Sequence, residues 1–274
     1  MITRISHLFA RLRQENRPGL IAYLTAGDPS IERTPSLVAA LERGGADLIE
    51  LGVPFSDPVA DGLVIQNAME RALAAGTTLE STLDIARHIR EHSQIPLVLF
   101  GYLNPLLRRG FDAVAREAVE AGIDGCLITD LSAEEAPPYV EKLRAAGLDT
   151  VFLAAPTSTA RRLALIAKYS SGFVYLVSRT GVTGERASLS EAVRPLIEHT
   201  RAATSIPLAV GFGISRPEHA EEVGLLADAI AVGSAFVRII EENAGSPSTE
   251  VQLESLAREL SAALRRARLQ GAHP

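Results

Sequence analysis

Apolar residues fall along this chain in short unbroken runs, separated by segments where they recur every three or four positions. The runs at 20–25, 47–52, 96–101, 126–130, 150–154, 173–177, 207–211 and 228–232 have strand length without alternation. That pattern marks strands covered on both faces. Helical periodicity occupies segments near 30–44, 79–93, 111–121, 133–146, 159–169, 187–203 and 216–223. Ser30 is expected to cap the first of these, whose Leu37, Val38 and Leu41 point inward. A short amphipathic helix is expected at 2–13, with Ile5, Leu8, Phe9 and Leu12 on one side. A closing helix at about 249–269 places Val251, Leu256, Leu260 and Leu264 near one stripe. Arg265, Arg266 and Arg268 suit the negative end of that helix dipole, so the basic cluster reads as a helix end.

A weak repeat accompanies the alternation. Gly44-Gly45-Ala46-Asp47, Ala121-Gly122-Ile123-Asp124 and Ala146-Gly147-Leu148-Asp149 each end a helical pattern and open an apolar run. Glycine suits the left-handed position after a helix. Strands that alternate with helices in this way form a parallel sheet covered by helices. Eight such units in 274 residues fit a single-domain (β/α)8 TIM barrel, with extra N-terminal and C-terminal helices, better than an open sheet. No linker or low-complexity segment divides 1–274.

Composition narrows the function. Hydrophobic residues make up 47% of the chain and charged residues 22%, which excludes disorder. A formal charge of −6 argues against a nucleic-acid or anionic-membrane surface. No apolar run approaches the ~18 residues of a membrane span, and residues 1–7 lack the apolar core of a signal peptide, so a cytoplasmic protein is expected. Cys126 is the only cysteine, which leaves no internal disulfide and no cysteine-based zinc site. Lys142 and Lys168 are the only lysines, and both fall in expected helices rather than at strand ends, so Schiff-base chemistry is disfavoured. His88 and His92 share a helical face without the glutamate of a metalloprotease helix, and read as surface residues.

Chemistry in a barrel belongs at the C-terminal ends of its strands. Glu50 interrupts the second apolar run near its end, and Asp57 and Asp61 follow from a loop stiffened by Pro54 and Pro58. A carboxylate in that position must be solvated at the strand end, paired, or partly neutral, and the aspartates by themselves read as turn formers. Gly211-Phe212-Gly213-Ile214-Ser215 follows the seventh run, and Gly233-Ser234 opens a helix after the eighth. Either alone could be a turn. Together, at the two strand ends where barrels commonly hold phosphate, they point to an anion site. Gly181-Val182-Thr183-Gly184 follows the sixth run and reads as a lid or as a plain surface loop. Tyr175 lies mid-strand, facing either the barrel interior or the helices. What remains is metal-free carboxylate acid–base chemistry on a phosphate-bearing ligand.

At this point the residues resemble a family. Glu50-Leu51-Gly52-Val53-Pro54-Phe55-Ser56-Asp57-Pro58-Val59-Ala60-Asp61-Gly62 is similar to the signature of tryptophan synthase α subunits. The likeness extends to Leu24-Thr25-Ala26-Gly27-Asp28-Pro29, Ile65-Gln66, 178–184, 211–215 and 232–235. It implies a TIM barrel that cleaves indole-3-glycerol phosphate reversibly to indole and glyceraldehyde 3-phosphate. Indole would pass through a tunnel to a pyridoxal-phosphate-dependent β subunit, in an α2β2 assembly. No cofactor would be held by this chain.

By resemblance, Glu50 would be the general acid/base, Asp61 would hold the indole N–H and remain ionised, and Tyr175 would support them. Phosphate would sit on Gly184, Gly213, Gly233 and Ser234, and indole among Tyr23, Phe100, Leu127, Thr129, Leu153 and Phe212. Thr183 would contact Asp61 from the lid, and Pro54, Asp57, Asn104 and Asp130 would face the partner. Leu63, Thr129 and Ser132 depart from the family pattern without removing a catalytic group. Two readings stay beside this one. A free-standing lyase would use the same carboxylates, and a barrel that mainly binds and activates a partner would not need them.

Overall fold

The structure is a computed structural model, which describes residues 3–177, 189–211 and 213–267. In chain order the first elements are α1 (Arg4–Gln14), β1 (Gly19–Thr25), α2 (Thr34–Arg43), β2 (Leu48–Gly52), α3 (Leu63–Ala74), α4 (Leu79–Arg90) and β3 (Leu97–Gly101). Next come α5 (Leu103–Arg109), α6 (Phe111–Glu120), β4 (Gly125–Ile128), α7 (Pro137–Ala146), β5 (Asp149–Ala154), α8 (Ala160–Tyr169) and β6 (Val174–Val177). The chain closes with α9 (Leu189–Arg201), β7 (Leu208–Gly211), α10 (Pro217–Gly224), β8 (Ala229–Val232), α11 (Ser234–Glu242) and α12 (Ser248–Arg266). Each strand pairs in parallel with the next, and β8 pairs with β1 to close a barrel.

Side chains on alternate strand positions separate two cores. Leu20, Ala22, Leu24, Ile49 and Leu51 face outward into the layer between sheet and helices. Ile21, Tyr23, Leu48, Val98, Phe100, Leu127 and Val151 fill the interior. The expected stripe of α1 closes the bottom of that interior: Ile5, Leu8, Phe9 and Leu12 are buried, and the Phe9 ring lies 5.9 Å from that of Phe173. Thr3 and Ser6 form a reciprocal capping box that starts α1.

The repeat acquires a physical meaning at the same end. Gly45, Gly122 and Gly147 have φ of +101°, +82° and +101°, the left-handed turn that lets each helix feed its strand. The following aspartate reaches sideways to the neighbouring strand. Asp47 accepts from the Leu20 N–H at 3.0 Å, and Asp124 from the Leu97 N–H at 2.9 Å. Asp228, at the start of β8, accepts from the Leu208 N–H at 2.7 Å. Arginines complete each site: Arg17 grips Asp47 with two bonds of 2.8 Å, Arg4 and Arg90 pair with Asp124, and Arg201 pairs with Asp228. Asp149 accepts instead from the Ser171 and Thr3 hydroxyls.

The helices depart from expectation where the hydrophobic signal is short. The buried residues of α3 are Ala68, Met69 and Ala72, too few and too small for a clear stripe, and α5 spans only 7 residues. Ser30 does not cap α2. Arg33 holds that position, with proline in the first turn, and the Ser30 carbonyl accepts from the Thr34 hydroxyl at 3.0 Å. In α12 the buried face runs through Leu253, Ala257, Leu260 and Leu264, whereas Val251 is 68% exposed. Ala257 packs so closely on Gly44 that a side chain at 44 would strike it.

Asp124 is 5% exposed and holds one backbone N–H and two arginines. Asp124→Ala leaves that donor and those cations uncompensated, and is expected to cost about 2–4 kcal/mol. Urea unfolding should show the midpoint falling with the slope unchanged.

Candidate active site

Glu50 shares the inward phase of β2 with Leu48, and its register neighbours are Tyr23 on β1 and Val98 on β3. The carboxyl is 1% exposed, and Oε1 has no hydrogen-bond partner among the described residues. Glu50 is therefore not at a solvated strand end, and among the described residues it has no ion pair. Burial pushes its pKa up to about 8, so it is neutral at neutral pH.

Asp61 comes from the loop between β2 and α3. The Tyr102 hydroxyl donates to Asp61 Oδ2 at 2.6 Å and accepts from the Ala60 N–H at 3.1 Å. Gln66 Nε2 donates to the Asp61 carbonyl at 2.7 Å, which pins the loop to the first turn of α3. Burial raises the Asp61 carboxyl, and the Tyr102 hydrogen bond draws it back. The two carboxyl groups thus differ in a useful way. Glu50 Oε1 has no partner among the described residues, while Asp61 accepts a bond that favours its ionised form.

Both groups line a cavity of about 630 Å³ at the C-terminal ends of the strands. Tyr23, Phe100, Thr129, Leu153 and Tyr175 give it an aromatic and apolar wall. Tyr175 faces the barrel interior, beside Leu153 and Ala209 in register. Its hydroxyl lies where a side chain at Gly211 would fall, and Tyr23 meets Gly52 in the same way, so each glycine makes room for a tyrosine. Burial raises both phenols, which stay protonated as hydrogen-bond donors. Gly213, Ser215, Gly233, Ser234 and Arg238 form the wall on the side of β7 and β8. Ser234 is the first residue of α11, so backbone N–H groups and the helix dipole meet the cavity there.

Leu127, expected in the indole pocket, is instead fully buried in the interior core and does not line the cavity. Thr183, Gly184 and Phe212 lie outside the described residues. Asp57, Asn104 and Asp130 are exposed above the barrel mouth, and Asp130 accepts from the Leu103 N–H at 2.7 Å. Pro54 is buried and presents no side-chain surface to a partner. Of the departures, Leu63 is 76% exposed, Thr129 donates to the Gly101 carbonyl at 3.1 Å, and Ser132 donates to Glu135 at 2.8 Å. Lys142 sits on α7 paired with Asp112, Lys168 sits on α8, and His88 and His92 are exposed, all away from the cavity. Among the described residues no cluster of His, Cys, Asp or Glu could hold a metal ion.

Residues 9–265 match the family described as tryptophan synthase alpha chain. The chain belongs to that family. It is 67% identical over 259 residues to the tryptophan synthase alpha chain of Solibacter usitatus, covering 94% of this chain and 97% of the relative. The alpha chain of Zymomonas mobilis is 46% identical over 275 residues, covering 99% and 100%. Among solved structures, tryptophan synthase subunit alpha from Legionella pneumophila superposes with a TM-score of 0.87 at 37% identity, covering 96% of this chain and 99% of that one. A chain of Mycobacterium tuberculosis tryptophan synthase gives 0.88 at 37% identity, covering 97% and 99%. As a tryptophan synthase alpha chain, the protein is a carbon–carbon lyase of tryptophan biosynthesis that cleaves indole-3-glycerol phosphate.

Sequence reasoning did not find Tyr102 or Arg238. A tyrosine directly after an apolar run was the available signal for Tyr102. Nothing along the chain marks its partner 41 residues away. Tyr102→Phe removes the donor to Asp61 and should raise the Asp61 pKa further. The acid limb of kcat/KM is expected to move up by about one pH unit. A pH–rate profile of the variant checks this.

Proposed function

We propose that Glu50 and Asp61 divide the work of the retro-aldol cleavage. The observation that carries this reading is the buried Glu50 carboxyl, whose Oε1 has no partner among the described residues and whose pKa is pushed up to about 8, facing a cavity shared with a second carboxyl held by Tyr102. Glu50 meets the substrate protonated and gives its proton to indole C3. The positive charge that develops on the indole ring is stabilised by the Asp61 carboxylate, which accepts the ring N–H. The bond between C3 and the glycerol chain then breaks, and its electron pair restores the aromatic indole. The former hydroxyl carbon becomes the aldehyde of glyceraldehyde 3-phosphate, and the hydroxyl proton returns to Glu50. One proton enters and one leaves, so the enzyme ends as it began.

Tyr175 and Tyr23 bound the reacting region, and burial keeps water from levelling the two carboxyl groups. The phosphate rests on Gly213, Gly233 and Ser234, where the backbone can approach an anion closely. Thr129 and Leu153 lie beside the indole. Alpha chains of this family work with a β subunit. The reading adds an α2β2 assembly in the cytoplasm, with pyridoxal phosphate in the partner and indole handed across the mouth near Asp57, Asn104 and Asp130.

Release of glyceraldehyde 3-phosphate, with and without a tryptophan synthase β subunit, tests the reading. Slow release that rises strongly with the β subunit is expected. Fast release regardless of partner would point to a free-standing lyase, and no release in either condition would sink the catalytic assignment. Glu50→Gln and Asp61→Asn should each lower kcat by about 10²–10⁴. Activity should fall as pH rises through about 8, because Glu50 must enter protonated. Stability moves the other way in the variant. An unfolded Glu50 ionises above 4.5, while the folded one resists until about 8, so ionisation favours unfolding across that window. Glu50→Gln removes this linkage, and its melting temperature relative to the parent should climb between those two pH values.

A further inference from the structure

Arg238 is the one cationic side chain among the described residues lining the active-site cavity, whose carboxyl groups are Glu50 and Asp61. It stands four residues after Ser234 on α11, hence on the same helix face one turn further from the N-terminus. Ser234 and Gly233 line the cavity with it. Two glutamates of α11 stand in helical reach of Arg238: Glu242, four residues on, with which it makes no ion pair, and Glu241, three residues on. That carboxylate is already held by Arg71 of α3 at 2.9 Å, with Asn67 at 3.4 Å, and Arg71 in turn grips Asp28 through two bonds of 2.9 Å. Arg238 is exposed at the cavity wall and has no ion-pair partner among the described residues.

A phosphate monoester arrives with nearly two negative charges, and an ionised Asp61 in the same cavity opposes it. The glycine amides and the α11 dipole supply only partial positive charge. We propose that Arg238 is a specificity-determining residue for the substrate phosphate, its guanidinium providing the full positive charge that favours a phosphate dianion over an uncharged counterpart. This rests on the reading that Gly213, Gly233 and Ser234 hold the phosphate. Because the guanidinium is exposed, it acts on encounter and binding and not on bond cleavage.

The test is steady-state kinetics of the full chain in both directions. In Arg238→Gln, KM for indole-3-glycerol phosphate and for glyceraldehyde 3-phosphate should rise about fivefold. Over the same range, kcat and KM for indole should stay within about twofold. Arg238→Lys should recover most of the loss, and the gap between parent and Arg238→Gln should narrow at high ionic strength. A salt-independent gap, or KM for indole rising with the others, would mean a structural role and overturn the proposal. Inorganic phosphate separates the two layers of the argument. It should inhibit the parent competitively, with an inhibition constant about fivefold weaker in Arg238→Gln. Equal inhibition of both proteins overturns Arg238 alone. No competition in the parent overturns the phosphate site, and the role of Arg238 with it.

Discussion

Closure of the sheet is the constraint on which the rest of this structure depends. Eight parallel strands that pair β8 back to β1 leave no sheet edge, so every strand has one face toward the helices and one toward the interior. The interior is narrow and dry, and side chains of the inward phase fill it. A polar group on that phase is desolvated unless it lies in the uppermost layer, where the cavity begins. Glu50 lies in that layer, one inward position above Leu48. Its perturbed carboxyl follows from strand phase and barrel closure together.

The two ends of the barrel treat carboxylates in opposite ways. At the bottom, Asp47, Asp124 and Asp228 each accept from a neighbouring strand's backbone and from arginine, so their charges are compensated and tie adjacent βα units together. At the top, Glu50 Oε1 has no partner among the described residues, and Asp61 has one phenol. Completely paired charges hold structure. A buried carboxyl without such compensation is destabilising, and groups of that kind cluster at functional sites.

The loops above the barrel serve that layer. The loop after β2 carries Asp61 back over the cavity, and it is held by Tyr102 from the end of β3 and by Gln66 from α3. Tyr102 is in turn packed by Phe55, their rings 4.9 Å apart. Through Arg71, the same helix α3 secures Asp28 after β1 and Glu241 on α11. One short helix therefore links the acid side of the cavity to α11, whose first turn lines the wall on the side of β7 and β8.

Much of this was legible along the chain. The eight runs, the helices between them and the glycine-aspartate repeat are local patterns, because a strand covered on both faces reads as an unbroken apolar run and helix burial follows the 3.6 period. The signature from Glu50 to Gly62 and the glycines after β7 and β8 pointed to the layer that holds the cavity, since barrel chemistry gathers at strand C-termini. The sequence by itself thus determined the barrel, the end of it where the cavity opens, and the two carboxyl groups that line it. Only the tertiary structure decided which of them is partnered. It turned Tyr175 inward, buried Leu127 in the interior core and out of the cavity wall, buried Pro54, and brought Tyr102 to Asp61 and Arg238 to the wall that Ser234 and Gly233 share. Those outcomes depend on distances between residues far apart in the chain, which are fixed by barrel closure and packing and leave no periodic trace in the sequence.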